Sequence, residues 1–254
     1  PLTPLPCPSM DKGMQSLLNV LLSVLVPVLI LEHCSSHGPG LLDLGPYLAM
    51  AIALAFPIGV GLWSFIKLHK VDPVTFFGLL GTVLTGVVTF YATQGEAAAL
   101  RPDTPWWYAA KEALIPLLLG GIMLVSTKSE TSMLRAFVYS DALFDIPRIE
   151  KRIEERGCSA EYECVLWRSS LMTAGSLFVS AAANFALALY FLLPVLAETP
   201  EQQPVAYNHA VGSMTWCGYL VIGLPLMVTL LAVIRYLMKR LSALTGLEDV
   251  TLPR

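Results

Sequence analysis

The residues with the most chemical potential lie where the chain is least polar. Lys111 and Glu112 are adjacent opposite charges in an apolar stretch that continues through residue 127. Charged groups in hydrocarbon are costly and mark solute pathways or proton relays, or else they snorkel to the interface. Asn184 stands sixteen positions after Arg168 among alanines and leucines. A mid-membrane amide there must find a partner across a helix bundle, as glue contributing roughly 0.6–2 kcal/mol, or it must touch a substrate. Asn19 raises the same choice. So do Thr82, Thr85 and Thr89, three and four apart on one helix face beside Gly81 and Gly86. Pro27, Pro57, Pro116 and Pro225 fall near the middle of apolar runs. Each removes a backbone hydrogen bond and frees a carbonyl, which either lines a binding site or is satisfied by neighbours.

Other chemistry is weaker. Glu32, His33, Cys34 and His37 place four metal-binding side chains within six positions, and His209 lies on the same predicted side. Their spacing matches no zinc signature, so an ordinary polar loop is the better reading and no metal is assigned. Five cysteines give no disulfide framework. The chain carries no Walker loop, nucleophile elbow, H-E-x-x-H or dinucleotide fingerprint. Neither a catalytic residue nor a cofactor is implied.

The elements that must position these residues follow from composition. Only 14% of the 254 residues are charged while 55% are apolar, and the mean hydropathy is +0.64. An ordinary soluble domain carries roughly a quarter charged residues, so a soluble enzyme is excluded. A net charge of −3 provides no basic field for nucleic acid. Uncharged gaps of 19, 23, 23, 29 and 33 residues separate Lys12 from Glu32, Asp43 from Lys67, Asp72 from Glu96, Arg168 from Glu198, and Glu201 from Arg235. About 20 apolar residues cross the hydrocarbon as a helix. A sixth span begins at the interfacial aromatics Trp106, Trp107 and Tyr108 and takes Lys111 and Glu112 into its outer turns. The fold class expected is therefore all-α, a polytopic membrane protein with six transmembrane helices near 14–33, 44–66, 73–93, 106–127, 168–196 and 211–238.

With both termini on one side, that side holds 14 of the 16 lysines and arginines, leaving Arg101 and Lys111. The positive-inside rule makes both termini cytoplasmic. The chain then reads as a disordered leader over 1–13, four spans over 14–127, a cytoplasmic amphipathic connector over 128–167, two spans over 168–238 and a cytoplasmic tail over 239–254. The first apolar stretch lacks a cleavage site and stays as a membrane helix. In the connector, Ile149 and Ile153 form one apolar stripe in a charged helix after Pro147. That stripe suits an element lying on the membrane surface or capping the bundle, or a partner-docking helix, but a solvated connector is the preferred reading.

From the second span onward the chain resembles the bacterial intracellular septation protein A family, the inner membrane-spanning protein YciB family. The likeness rests on Leu68-His69-Lys70-Val71-Asp72, on Gly86-Val87-Val88-Thr89, on Lys111 at the start of the fourth helix, and on Trp167-Arg168 followed by Asn184-Phe185. It is similar also to an uncharacterised group of six-pass bacterial membrane proteins, through the segments at 27–31, 56–59 and 110–116. Trp167 and Arg168 are adjacent here, and the connector is longer than in the septation family. The resemblance implies a bacterial inner-membrane location and a link to envelope or division processes, with no catalytic activity.

The function expected is a non-enzymatic inner-membrane protein, an envelope-maintenance or division factor whose partners are the lipid bilayer and other inner-membrane or envelope proteins. The alternative is a small-solute permease with Lys111, Glu112, Asn184 and Asn19 along a polar pathway between helices bent at the four prolines. Topology is directly testable. In a chain otherwise free of cysteine, external labelling should reach cysteines placed at Gly40, Arg101 or Pro200 and miss those at Lys70 or Arg152. Labelling at Arg152 from outside would reverse the orientation.

Overall fold

The computed structural model describes residues 26–34, 44–68, 73–93, 99–126, 133–140, 143–247 and 250–251. The leader over 1–13, Asn19 with the first half of the first span, His37 and the 69–72 motif lie outside them, as do the side chains of Pro57 and Thr82. The described residues are helical: α1 Val26–His33, α2 Pro46–Leu68, α3 Pro73–Ala92, α4 Thr104–Val125, α5 Met133–Phe137, α6 Ile146–Arg156, α7 Ser159–Leu192, α8 Gln203–Gly218 and α9 Leu224–Thr245. A 3-10 turn at Pro194–Ala197 follows α7, and a π turn at Tyr219–Gly223 joins α8 to α9. An isolated bridge, Phe144 to Thr251, is the extended pairing seen among the described residues.

Three helical stretches are long and apolar enough to cross a membrane: Thr104–Val125, Ser159–Ala197 and Gln203–Thr245. Their surfaces agree with that solvent. Leu117, Leu118 and Ile122 on α4 are exposed, as are Leu220, Met227, Val228 and Leu231 around α9. A monomer in water rarely leaves so continuous an apolar surface uncovered.

The last two helices outrun their apolar cores. The sequence places spans at 168–196 and 211–238, whereas the helices run from Ser159 and from Gln203 to Thr245. Charges at Glu161, Glu163 and Arg168 end an apolar run, but they do not break a helix. Helices stop where backbone chemistry changes: Pro204 sits at the start of α8, and α9 ends on left-handed Gly246 (φ 67°). Pro225 removes an amide just after the π turn, where the Leu224 amide reaches back five residues to the Tyr219 carbonyl. Such wide turns commonly accompany a proline within a continuous helix. Pro116 lies inside α4, Pro57 within α2, and Pro27 is half-buried in α1.

The chain divides into two compact units, residues 1–111 with 188–216, and residues 112–187 with 217–254. In the first, α1 packs on α2 and α2 on α3. Its most buried apolar positions include Ala49, Ala53, Ala92, Ala109 and Ala188. Small side chains let helices approach closely, which is how helices associate where no hydrophobic effect separates them from lipid.

The second unit has a different core. Leu134, Val138, Tyr139, Phe144, Ile149 and Leu237 are essentially inaccessible, and they form one cluster with Ile153, Tyr162, Val165, Leu241 and Val250. Large aliphatic and aromatic groups are what a water-driven core uses. The connector supplies much of it. The Asp145 side chain caps α6 by accepting from the Arg148 amide, with Pro147 in the first turn. Left-handed Gly157 (φ 67°) closes the helix, so that the Cys158 amide donates to the Ile153 carbonyl. Ile146, Ile149 and Ile153 face inward, and α6 packs on α9. The connector is therefore not simply a solvated linker: three isoleucines offer too much apolar area to leave in water when the end of α9 is adjacent.

Truncating that stripe should loosen the second unit. Ile149→Ala should cost about 2–5 kcal/mol, as buried isoleucines do, and raise proteolysis near Arg152 in inside-out vesicles. Glu154→Ala on the exposed face should stay within about 0.5 kcal/mol. Equal cleavage of both variants would contradict the docked arrangement.

Candidate functional site

The polar groups of the first unit meet around Lys111. Lys111 and Tyr108, three residues apart, share a face of α4 about two turns from its start. The Lys111 ammonium donates to Thr85 Oγ1 at 2.7 Å and lies 4.1 Å from the centre of the Tyr108 ring. Thr85 accepts through a lone pair while its own proton goes to the Gly81 carbonyl (2.9 Å). Tyr108 is buried, with its ring edge-on to Tyr207 of α8 at 6.1 Å between centres. The Tyr207 hydroxyl lies 3.4 Å from Thr89 Oγ1. Helix periodicity makes this possible: Thr85 and Thr89 point inward, whereas Val83, Val87 and Phe90 are the exposed residues of α3.

The next residue extends the cluster. Asn208 is buried and its amide donates to the Pro46 carbonyl at 2.9 Å, tying α8 to the first residue of α2. One turn earlier, Gln203 accepts from the Leu100 amide at 2.8 Å and donates to the Glu198 carbonyl at 3.1 Å. Chemically, the arrangement holds a cation against an aromatic face and a hydroxyl acceptor, with a second hydroxyl pair at Thr89 and Tyr207. A cation over such a ring gains roughly 0.5–2 kcal/mol, more as water is excluded.

The residues singled out from sequence are only partly brought together. Glu112 is half-buried and points about 100° away from Lys111 around α4. Asn184 was expected to reach another helix. Instead its amide donates to the Ser180 carbonyl (2.8 Å) and to Ser180 Oγ (3.3 Å) of its own helix. A short amide side chain reaches the carbonyl one turn back, which satisfies it without crossing the bundle. Tyr207, Asn208 and Gln203 were missed, because polar residues before a span read as loop when the span is taken to start at 211. Tyr108 was noted only as an interfacial ring.

A second cluster surrounds Asp103, which precedes α4. Its carboxylate accepts from the Tyr91 hydroxyl (2.6 Å), from Trp107 Nε1 (3.2 Å) and from Arg101 Nε (3.4 Å). The Arg101 guanidinium also lies 4.3 Å from the centre of the Tyr91 ring. The Tyr91 hydrogen bond, above all, holds the Asp103 carboxyl below its ordinary value. A lowered carboxyl stabilises the folded chain above its ordinary pKa and loses that contribution as pH falls through the folded value.

In the second unit, Arg135 pairs with Glu150 at 2.7 Å and Tyr162 donates to the Tyr139 hydroxyl at 3.3 Å. Burial, with Tyr162 beside it, pushes the Tyr139 phenol far above its ordinary value, so it stays neutral. Cys34, Cys158, Cys164 and Cys217 are free thiols. Among the described residues no three His, Cys, Asp or Glu side chains converge as a metal site.

No protein-family model, characterised protein or solved structure matches the chain.

Two substitutions separate site from scaffold. Thr85→Val should cost about 1–3 kcal/mol by removing the acceptor for Lys111. Adding Lys111→Met should recover part of that loss, giving a non-additive double-mutant cycle in detergent melting. Asn184→Leu should change stability by less than about 0.5 kcal/mol, because its hydrogen bonds lie within one helix. Additive effects at Thr85 and Lys111 would show that the two groups do not interact.

Proposed function

We propose that the chain is a six-span protein of the bacterial inner membrane, with both termini cytoplasmic. In this reading it has no catalytic activity and serves envelope maintenance or division through other membrane proteins, in line with its resemblance to the septation protein A family. The observation that carries the reading is the second unit. The connector turns its apolar stripe onto its own chain, while Arg148, Lys151, Arg152, Glu154 and Glu155 remain exposed on α6. In this reading that charged face is the surface a partner meets, since charges at a rim set partner choice and register.

Hydrogen bonds between segments at the ends of helices support the topology. Leu100 with Gln203, and Asn208 with Pro46, join segments expected on the external side. Arg156 donating to the Leu244 carbonyl, and the Asp145 amide donating to Val250, join segments expected in the cytoplasm.

A small-solute permease is the second reading, favoured specifically by Lys111 with its Thr85, Tyr108, Tyr207 and Thr89 surroundings. The two are separated by purification in mild detergent with mass spectrometry of bound proteins and metabolites. The partner reading expects inner-membrane proteins to co-purify, and to be lost in Lys151→Glu/Arg152→Glu with melting unchanged. A retained metabolite that disappears in Lys111→Met, with no protein partner, would contradict it in favour of transport.

A further inference from the structure

The second unit contains a cavity of about 180 Å³ that the reading above does not use. Leu119 and Met123 of α4, Leu177 of α7, and Leu226 and Leu230 of α9 line it, with Met133 at the α5 side. Three hydroxyls also face it, and each already donates within its own helix. Thr173 bonds the Ser169 carbonyl (2.9 Å), Ser176 the Thr173 carbonyl (2.8 Å) and Thr229 the Pro225 carbonyl (2.9 Å). The walls therefore offer no free donor to a polar ligand.

An apolar cavity of about 150 Å³ stays dry and takes up hydrocarbon. This one is of comparable volume and is walled mainly by leucine and methionine, with no hydroxyl proton free to donate into it. It also continues into the apolar surface. It opens beside Leu230, a lining residue that is itself 37% exposed, while Leu118, Ile122, Met172, Met227 and Leu231 are exposed elsewhere around the same helices. Met123, by contrast, is only 3% exposed and is reached by way of the cavity. Past Leu230 on the same helix, Arg240 is exposed on the side of α9 that lines the cavity, about 15 Å along the axis, with Arg235 and Lys239 exposed around the opposite side of the same end. That is a cationic end for an anionic headgroup beside an apolar slot.

We propose that this cavity binds one acyl chain of a phospholipid from the cytoplasmic leaflet, its phosphate set against the basic end of α9. The proposal rests on the membrane reading of the helices and not on the envelope role. Thr173, Ser176 and Thr229 give the slot its width, since a larger side chain at any of them would enter it.

The test uses the full chain in nanodiscs of phosphatidylethanolamine and phosphatidylglycerol. The probe is phosphatidylglycerol bearing a photoreactive diazirine midway along one acyl chain, and adducts are mapped by mass spectrometry. Met123 should be labelled at least tenfold above Leu237, which is equally hidden but outside the cavity. Leu118 and Met227 on the apolar surface should be labelled freely. Ser176→Leu, or Thr229→Ile if the first fails to fold, should abolish the Met123 adduct and leave those at Leu118 and Met227. Labelling at Leu118 and Met227 with none at Met123 would overturn the proposal alone. No labelling at Leu118 or Met227 would overturn the membrane reading and the proposal with it. Labelling of Met123 by a diazirine-bearing farnesyl probe but not by the phospholipid would overturn the choice of occupant.

Discussion

Hydrocarbon offers no hydrogen bonds, so each polar group an apolar helix carries must be satisfied by the chain itself. Much of the described structure answers to that constraint. Thr85 accepts from Lys111 and gives its own proton to the Gly81 carbonyl. Asn184, Thr173, Ser176 and Thr229 turn back to carbonyls of their own helices. Asn208 donates to the Pro46 carbonyl at the first residue of α2, so its buried amide is met by another helix. Among the described residues three buried hydroxyls, those of Thr104, Ser170 and Tyr236, have no partner. Thr104 is the first residue of α4, while Ser170 and Tyr236 lie within the two helices that outrun their apolar cores.

The same constraint separates the two modes of packing. In the first unit buried alanines let helices approach closely, beside the buried Tyr108, Leu192 and Tyr207. Isoleucine, leucine, tyrosine and phenylalanine fill the second, as they do where water supplies the driving force. The connector takes part in that core as an ordered element. Arg156 completes the arrangement by donating to the Leu244 carbonyl, a cation at the negative end of α9. Gly246 leaves the space: a Cβ there would collide with the Arg156 guanidinium.

Sequence patterning went far on elements and less far on partners. Uncharged gaps located two of the three long apolar helices, because hydrocarbon thickness is a length that composition can be measured against, and interfacial aromatics located the third, Thr104–Val125. The gaps misjudged helix ends at Ser159 and Gln203, since a charge stops an apolar run without stopping a helix. Lys111 stood out because a cation is rare among such residues, yet nothing in its spacing pointed to Thr85, 26 positions away. Asn184 misled for a related reason. The cost of an unpaired amide is visible in sequence, but whether a neighbour one turn back or one helix across removes it is a matter of side-chain geometry. Tyr207 and Asn208 carried a signal, a polar pair just ahead of a long apolar run, that is distinguishable from a loop only once the helix is known to begin at Gln203.

Solid-state NMR on the ¹⁵N-lysine-labelled chain in phospholipid bilayers bears most directly on this account. It asks what lies beside the Lys111 ammonium. If the chain itself satisfies its intramembrane polar groups, Lys111 Nζ will correlate through space with the Thr85 Cβ and the Tyr108 ring carbons. Correlation with lipid phosphorus instead, and with neither side chain, would show a lysine that has snorkelled to the headgroups and would contradict it.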